Sequence, residues 1–244
     1  MEIEKLKVPP AYQAVSTELQ KHILSGALKP GEPLPSEIEL AAKFGVNRST
    51  VREGIRQLES EGLVRREGRK RLLVTVPHSA DLAPRTTRAL VMHEVTFEEL
   101  WEVAMVLEPL AAQLAASAAS DAQIAALKAN LDATSAVVER GISPGKLDLE
   151  FHSLVSAAAA NKVLLLSREP VGLLLYPAFE TFQMQLPQAA RRLVEAHREV
   201  VAGIERRDGA HAELWMRKHV ADLKRGWELA GLSIDQRIEP GVTP

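Results

Sequence analysis

From Pro77 to the C-terminus, apolar residues recur at helical spacing and no run alternates as a half-buried strand would, so helices are the regular element of this larger part of the chain. Caps and breakers place helices at approximately 80–92, 97–118, 121–140, 144–159, 162–182, 187–207 and 209–230. The chain has only ten aromatic residues, and alanine and leucine dominate, which suits close helix-on-helix packing. Leu100, Val103, Leu107, Leu110 and Leu114 repeat in heptad fashion, which puts their helix at the centre of a bundle. The tail from Leu232, with Pro240 and Gly241, is expected to fray.

The first 77 residues read differently. Tyr12, Val15, Leu19 and Ile23 set one amphipathic helix over 10–25, closed by Gly26. A Pro/Gly turn, Lys29-Pro30-Gly31-Glu32-Pro33-Leu34-Pro35, leads to Ser36-Glu37-Ile38-Glu39, whose Ser and Glu three apart form a capping box. The short helix that follows should stop at Gly45. Asn47 then caps a third helix reaching about Glu61, with Val51, Ile55 and Leu58 facing inward. Two β-prone runs, 63–66 and 72–76, flank Glu67-Gly68-Arg69-Lys70-Arg71 as a hairpin with a basic tip. The expected organisation is a winged helix-turn-helix over 1–77, a linker over 78–84, an all-α domain over 85–231 and a frayed tail over 232–244.

The absence of cysteine excludes disulfides, thiolate zinc sites and cysteine nucleophiles, so any metal must use histidine and carboxylate. No apolar run approaches the roughly 20 residues that span a bilayer. Met1-Glu2-Ile3-Glu4-Lys5 lacks the charge and apolar core of a signal peptide, so a cytoplasmic location without membrane attachment is expected. Charge is divided unevenly: residues 1–77 hold thirteen Lys and Arg against ten Asp and Glu, and acidic residues outnumber basic ones in the remainder.

The basic excess has a focus. On the third helix the inward positions leave Arg48, Arg52 and Arg56 as one outward stripe. On an isolated helix such a stripe is ordinarily a solvated face; between a short helix-turn and a basic hairpin it fits the major groove, where a guanidinium can grip guanine O6 and N7. Arg48 and Arg52 are the candidates for base reading. Asn47, Ser49 and Thr50 at the helix start, and Ser36 at the previous one, suit phosphate contacts, as do the basic wing residues, Arg69 and Lys70 among them.

In the second part, Asp148 and His152 share one helix face, His197 sits among Leu193, Val200 and Val201, and His219 lies between Trp215 and Leu223. These four can satisfy one another by binding a divalent cation; the spacing equally fits core histidines hydrogen-bonded to carbonyls. A metal-dependent hydrolase would use the same set, but no His-Glu-x-x-His helix is present and the first 77 residues would stand unexplained. A nonspecific architectural DNA binder would carry more positive charge.

The run from Gly26 through Pro35-Ser36-Glu37-Ile38-Glu39-Leu40-Ala41, followed by Phe44-Gly45-Val46-Asn47-Arg48-Ser49-Thr50-Val51-Arg52-Glu53, resembles the GntR family of bacterial regulators. Leu147-Asp148-Leu149-Glu150-Phe151-His152, Asn161, Ala196-His197-Arg198-Glu199 and Met216-Arg217-Lys218-His219 resemble the FCD ligand-binding domain of its FadR-type branch. The resemblance implies a winged helix-turn-helix joined to a seven-helix bundle. It implies base contacts by Arg48 and Arg52, with Asn47, Ser49 and Thr50 touching DNA nearby and Gly68 entering the minor groove. It also implies zinc, nickel or manganese at Asp148, His152, His197 and His219. A homodimer on palindromic operator DNA, acting as a repressor released by a small-molecule effector, follows from the same likeness; a metal-sensing regulator is the alternative. Glu108 matches the end of an organic-acid-binding pattern whose arginine is replaced here by Ala104, leaving Arg217, Arg168 or the metal to receive a carboxylate. Asn161 and Tyr176 are further pocket candidates, although capping the helix that follows is the plainer role for Asn161. Ile38 stands where relatives carry a DNA-contacting arginine.

Overall fold

The computed structural model describes residues 9–68, 71–182 and 186–238, and the chain divides into two compact units at Asp81 and Leu82. In the first unit, α1 (Ala11–Leu24), α2 (Glu37–Phe44) and α3 (Arg48–Ser60) precede an antiparallel hairpin of β1 (Val64–Glu67) and β2 (Arg71–Val74), in register from Val64 opposite Val74 to Glu67 opposite Arg71. The Pro/Gly turn lies along β2: Leu34 N–H donates to the Leu72 carbonyl and Val74 N–H to the Glu32 carbonyl, each at 2.9 Å, which covers the hairpin's free edge. Val15, Leu19, Leu40, Val51, Ile55 and Leu58 form the core, so the inward face of α3 is the one its spacing indicated.

Local chemistry sets the turn between α2 and α3. Ser36 Oγ accepts from Glu39 N–H at 3.2 Å while Glu39 Oε2 accepts from Ser36 N–H at 2.8 Å, a reciprocal cap that starts α2. Gly45 ends it in the left-handed region (φ 65°), a conformation glycine adopts without steric cost. Asn47 occupies the N-cap position of α3, but its side chain closes no capping hydrogen bond.

The second unit is a helical bundle around α5 (Phe97–Ala118), which packs against α7 (Gly145–Ala158), α8 (Lys162–Leu175), α10 (Pro187–Glu205) and α11 (Gly209–Leu229). Helix α6 (Asp121–Glu139) lies on α7 and α10. Capping boxes at Thr96 and Ser120 begin α5 and α6, and Asp208 accepts from His211 N–H to begin α11.

Three sequence expectations change here. Of the linker expected over 78–84, residues 79–84 are the first turns of α4 (Ser79–Met92), the helix expected from about residue 80. The helix expected over 162–182 is broken: α8 ends at Leu175, Tyr176–Ala178 form a 3-10 turn and α9 (Phe179–Phe182) follows, because Pro177 has no N–H for an α-helical bond and crowds the preceding turn. The central place of α5 is the one its heptad indicated: Phe97, Leu100, Ala104, Glu108, Ala111 and Ala115 are buried, the alanines among them permitting close helix approach, while Val103, Val106 and Leu110 are exposed. Finally, residues 232–238 are not frayed. The carbonyls of Gln236 and Ile234 accept from Phe97 and Glu98 N–H at 3.0 Å, and Trp227 Nε1–H donates to the Ser233 carbonyl at 2.9 Å. The first N–H groups of a helix lack intrahelical partners, and here this segment supplies them.

Candidate metal centre and helix-turn-helix face

Helix α7 carries Asp148 and His152 one turn apart, α10 brings His197 and α11 brings His219; all four are buried. One ligand atom from each lies within 4.8 Å of all the others. His152 Nε2 is 3.0 Å from His219 Nε2, and Asp148 Oδ1 stands 3.0, 3.3 and 3.7 Å from the Nε2 atoms of His197, His219 and His152. A cation at metal–nitrogen distances of about 2.0–2.1 Å sets adjacent donor atoms roughly 3.0–3.4 Å apart; three of these four separations fall in that range and the fourth, at 3.7 Å, lies just beyond it.

Behind the cluster, the partners of His152 fix its tautomer. Glu108 Oε2 lies 2.8 Å from His152 Nδ1, and an ionised carboxylate only accepts, so Nδ1 carries the hydrogen and the Nε2 lone pair points into the cluster. Arg168 donates from Nε to the other Glu108 oxygen at 2.7 Å and from Nη1 to Ser153 Oγ and Glu169 at 3.0 Å. Gly172 makes room for that guanidinium: a Cβ there would stand 2.5 Å from Arg168 Nη2. Phe151 stacks on the His197 ring at 3.6 Å and Tyr176 on the His152 ring at 3.9 Å, so aromatic faces hold both ligand rings.

These surroundings set the charge states a metal needs. Burial alone would raise the Asp148 carboxyl, but hydrogen bonds with His197 and His219 outweigh it and hold it well below the carboxylate range. Burial pushes His197 down to about 3, against the pull of Asp148, and lowers His152 despite Glu108. Burial would likewise raise Glu108, but Arg168 and His152 bring it to about 2. At neutral pH the cluster therefore offers one carboxylate with neutral imidazoles at His152 and His197, the states a metal ion requires.

A pH dependence follows with a definite sign. Below the ordinary value of 6.5 the unfolded chain protonates His197 and the native chain does not until about 3, so native stability is present above 6.5 and lost as pH falls through that window. Thermal scans of metal-free protein from pH 7 to 4 should show a falling midpoint, at about 1.4 kcal/mol per pH unit for this group. A midpoint that rises or stays level would count against a buried neutral His197.

The pocket candidates separate. Tyr176 lines a cavity beside Asp148 and His219, together with Phe179, Phe182, Leu193 and Trp215. Three others stand apart from that cavity's lining. Glu108 does not line it but orients His152 from behind. Asn161 caps α8, accepting from Val163 and Leu164 N–H at 3.1 Å. Arg217 is on the surface, paired with Glu213 at 3.1 Å.

In the first unit, Arg48, Ser49, Arg52 and Arg56 are exposed along one side of α3, with Asn47 exposed and Thr50 half-buried at its start. Glu37, on the first turn of α2, holds Arg52 through two hydrogen bonds, Nε to Oε1 at 3.2 Å and Nη2 to Oε2 at 2.8 Å, and lies 3.9 Å from Arg48 Nη2. That fork lowers the Glu37 carboxyl. Sequence reading passes over Glu37, since an acidic residue in a first helical turn is ordinary helix chemistry. Ser36 Oγ accepts within its cap and keeps its hydroxyl hydrogen to donate. Arg56 pairs with Glu53, and Gly68 sits at the hairpin tip with φ 66°. Arg69 and Lys70 lie outside the described residues.

Comparison with known proteins matches residues 11–74 to “Bacterial regulatory proteins, gntR family” and residues 99–222 to “FCD domain”. The HTH-type transcriptional regulator LutR of Bacillus subtilis (strain 168) is 29% identical over 206 residues, 83% of this chain and 94% of that protein. The Glc operon transcriptional activator of Escherichia coli (strain K12) is 26% identical over 225 residues, 88% of each. The solved structure titled “Streptococcus agalactiae GntR” shares the fold at a TM-score of 0.63 and 23% identity, covering 88% of this chain and 99% of that one.

Proposed function

This chain belongs to the GntR family of DNA-binding transcriptional regulators and carries an FCD domain, not an enzyme's machinery; from that premise we propose that it is a homodimeric repressor of a palindromic operator, controlled by a small organic acid at a metal-containing site. The observation that carries the effector half is the convergence of Asp148 Oδ1 with three histidine Nε2 atoms. Three imidazoles and one carboxylate suit zinc, with nickel or manganese as substitutes. The cation, when bound by those four residues, supplies a positive anchor for an anionic ligand. Among the described residues no helix is long and apolar enough to cross a membrane, and we place the protein in the cytoplasm with its DNA.

For the DNA half we assign base reading to Arg48 and Arg52. Phosphate contacts fall to Ser36, Asn47, Ser49, Thr50 and Arg56, and backbone or minor-groove contacts to the wing at Gly68, Arg69 and Lys70. The uncapped side chain of Asn47 and the spare hydroxyl hydrogen of Ser36 support this division. Ile38 is 60% exposed at the start of α2, and its branched side chain suits the 5-methyl of thymine better than the guanine edge an arginine would take.

Dimerisation is assigned to the exposed apolar stripe Val103, Val106 and Leu110 of α5, which water disfavours and a second copy would cover. Val106→Glu with Leu110→Glu should convert a dimer to a monomer in sedimentation and reduce operator affinity by about a hundredfold, since one half-site alone is gripped. An unchanged dimer would move the interface elsewhere.

The whole assignment is tested by selecting binding sites for the full chain from a random duplex library and then driving a reporter from the selected site. The expected result is a two-fold symmetric sequence whose reporter rises when the protein is removed. Asymmetric or unenriched sites would refute the operator reading. A reporter that falls would make the protein an activator, the role printed in the name of the Escherichia coli relative.

A further inference from the structure

Helix α4 crosses from the first unit into the second, and among the described residues it packs extensively against no other helix or strand, so its direction is set where it ends. That end is a left-handed closure: Glu94 N–H donates to the Val91 carbonyl at 2.9 Å, Val95 N–H donates to the Leu90 carbonyl at 3.3 Å, and Glu94 itself has φ 56°. Glycine holds the same place, two residues beyond the helix, after α1, α3, α6 and α11, at Gly26, Gly62, Gly141 and Gly231. A side chain crowds the backbone in this conformation, which persists only where the surroundings enforce it. Around Glu94 the C-terminal segment does so. Ile238 N–H donates to the Val95 carbonyl at 3.0 Å, Arg237 faces Thr96 as an antiparallel bridge, and the Gln236 and Ile234 carbonyls accept from the first N–H groups of α5. Arg237 Nη1 donates to the Glu94 carboxylate at 2.6 Å; both side chains are exposed, so the pair adds little by itself and the backbone bonds carry the hold. The Trp227 indole fastens the same segment to α11, donating to the Ser233 carbonyl at 2.9 Å and stacking on Phe97 at 4.4 Å. The end of α4, the start of α5 and the end of α11 are tied at one place.

We propose that residues 232–238 act as a strap that fixes the direction in which α4 leaves the helical bundle, and thereby the half-site spacing that the protein can bridge on DNA. This rests on the reading of the chain as a homodimer on a two-fold operator, where spacing reports how the two recognition helices are carried. A segment that only stabilised the bundle would, when disturbed, weaken binding at every spacing alike. A strap, when disturbed, loses the discrimination between spacings. Glu94 is then kept for its side chain, at a place where glycine would cost the backbone less.

The test is fluorescence anisotropy of the full chain on duplexes that carry the selected half-sites at the selected spacing and at slightly longer and shorter ones, with sedimentation and thermal midpoint measured on the same samples. Wild type should bind the selected spacing about tenfold or more tightly than its neighbours. Ile238→Pro, which removes the N–H given to the Val95 carbonyl, should cut that preference to about threefold or less while the protein stays dimeric. Glu94→Gly should also cut it, with a thermal midpoint level or raised, an outcome that loss of structure would not give. Thr96→Cys with Arg237→Cys provides the converse within one protein. Facing residues of such a bridge have Cα atoms about 4.5 Å apart, inside the range a disulfide spans, and the chain has no cysteine of its own. The reduced form should show the relaxed preference and the oxidised form the wild-type one. An unchanged preference in folded Ile238→Pro and Glu94→Gly, equal weakening at every spacing, reduced and oxidised forms that agree, or a wild type indifferent to spacing overturns the inference and leaves the operator reading standing. A wild type that enriches no two-fold site in selection overturns the operator reading, and the inference with it.

Discussion

His197→Ala is expected to reduce bound metal from about one equivalent per chain to below about a tenth, measured by elemental analysis of protein purified without a chelator or affinity tag. The reason is that the four donors come from three separate helices, and α10 contributes only His197. Without it, three donors remain, Asp148 and two histidines, and the ionised Asp148 carboxylate also loses the 3.0 Å hydrogen bond it accepts from His197 Nε2. A ligand that binds only the native state adds about 4 kcal/mol when its free concentration is a thousandfold above Kd. In a chain of this size that corresponds to roughly 10 °C of thermal midpoint, so a chelator should lower wild type by about that much and leave His197→Ala unmoved. Glu108→Gln retains all four ligands but loses the carboxylate that orients His152. Metal affinity should then fall about tenfold to a hundredfold, the usual effect of removing such a partner. Wild type that stays metal-free after incubation with zinc, nickel and manganese would leave the cluster as a buried hydrogen-bonded core and would remove the anchor from the effector site.

The second large effect is expected at Arg52. A guanidinium has five N–H groups. Glu37 takes one from Nε and one from Nη2, so both hydrogens of Nη1 and the other hydrogen of Nη2 remain to grip guanine O6 and N7 end-on. A bidentate contact of this kind discriminates by about 1–3 kcal/mol. At about 2 kcal/mol in each of two half-sites, Arg52→Ala should cost about 4 kcal/mol, roughly a thousandfold in operator affinity, and relax base preference at one symmetric position. Glu37→Gln keeps every DNA-facing group and removes only the charged fork that holds Arg52 extended, so it should weaken the operator about tenfold and blur the same base position. Fluorescence anisotropy on the selected operator and on point-substituted versions measures both. Arg52→Ala binding all of them as wild type does would take base reading away from this helix.

Most of the first unit was legible because its signals are local. The Ser36–Glu39 cap, the left-handed Gly45, the inward triad of Val51, Ile55 and Leu58 and the hairpin strands each depend on residues a few positions apart, and hydrogen-bond geometry and helix period dictate them wherever the chain goes next. The four residues of the metal cluster could be named for a related reason: polar groups set among apolar neighbours on separate helices must find partners. That they do converge, and that Glu108 turns His152 toward the cluster while Arg168 holds Glu108, depends on contacts between helices 44 and 60 residues apart, which no periodicity encodes. The same limit explains the misreadings. On α5 the leucine heptad placed the helix at the centre of the bundle, but packing against α11, α7 and α8 buried Leu100 with the alanines and left Val103 and Leu110 exposed. Residues 232–238 carry weak local signals, yet their carbonyls meet the unpaired N–H groups of α5 and hold the segment in place. The sequence by itself determined the helices, the turn of the DNA-reading motif and which residue types could take a metal. Tertiary structure alone decided which residues of α5 stayed exposed, which arginine Glu37 holds and which side chains line the cavity, because those outcomes depend on distances between segments remote along the chain.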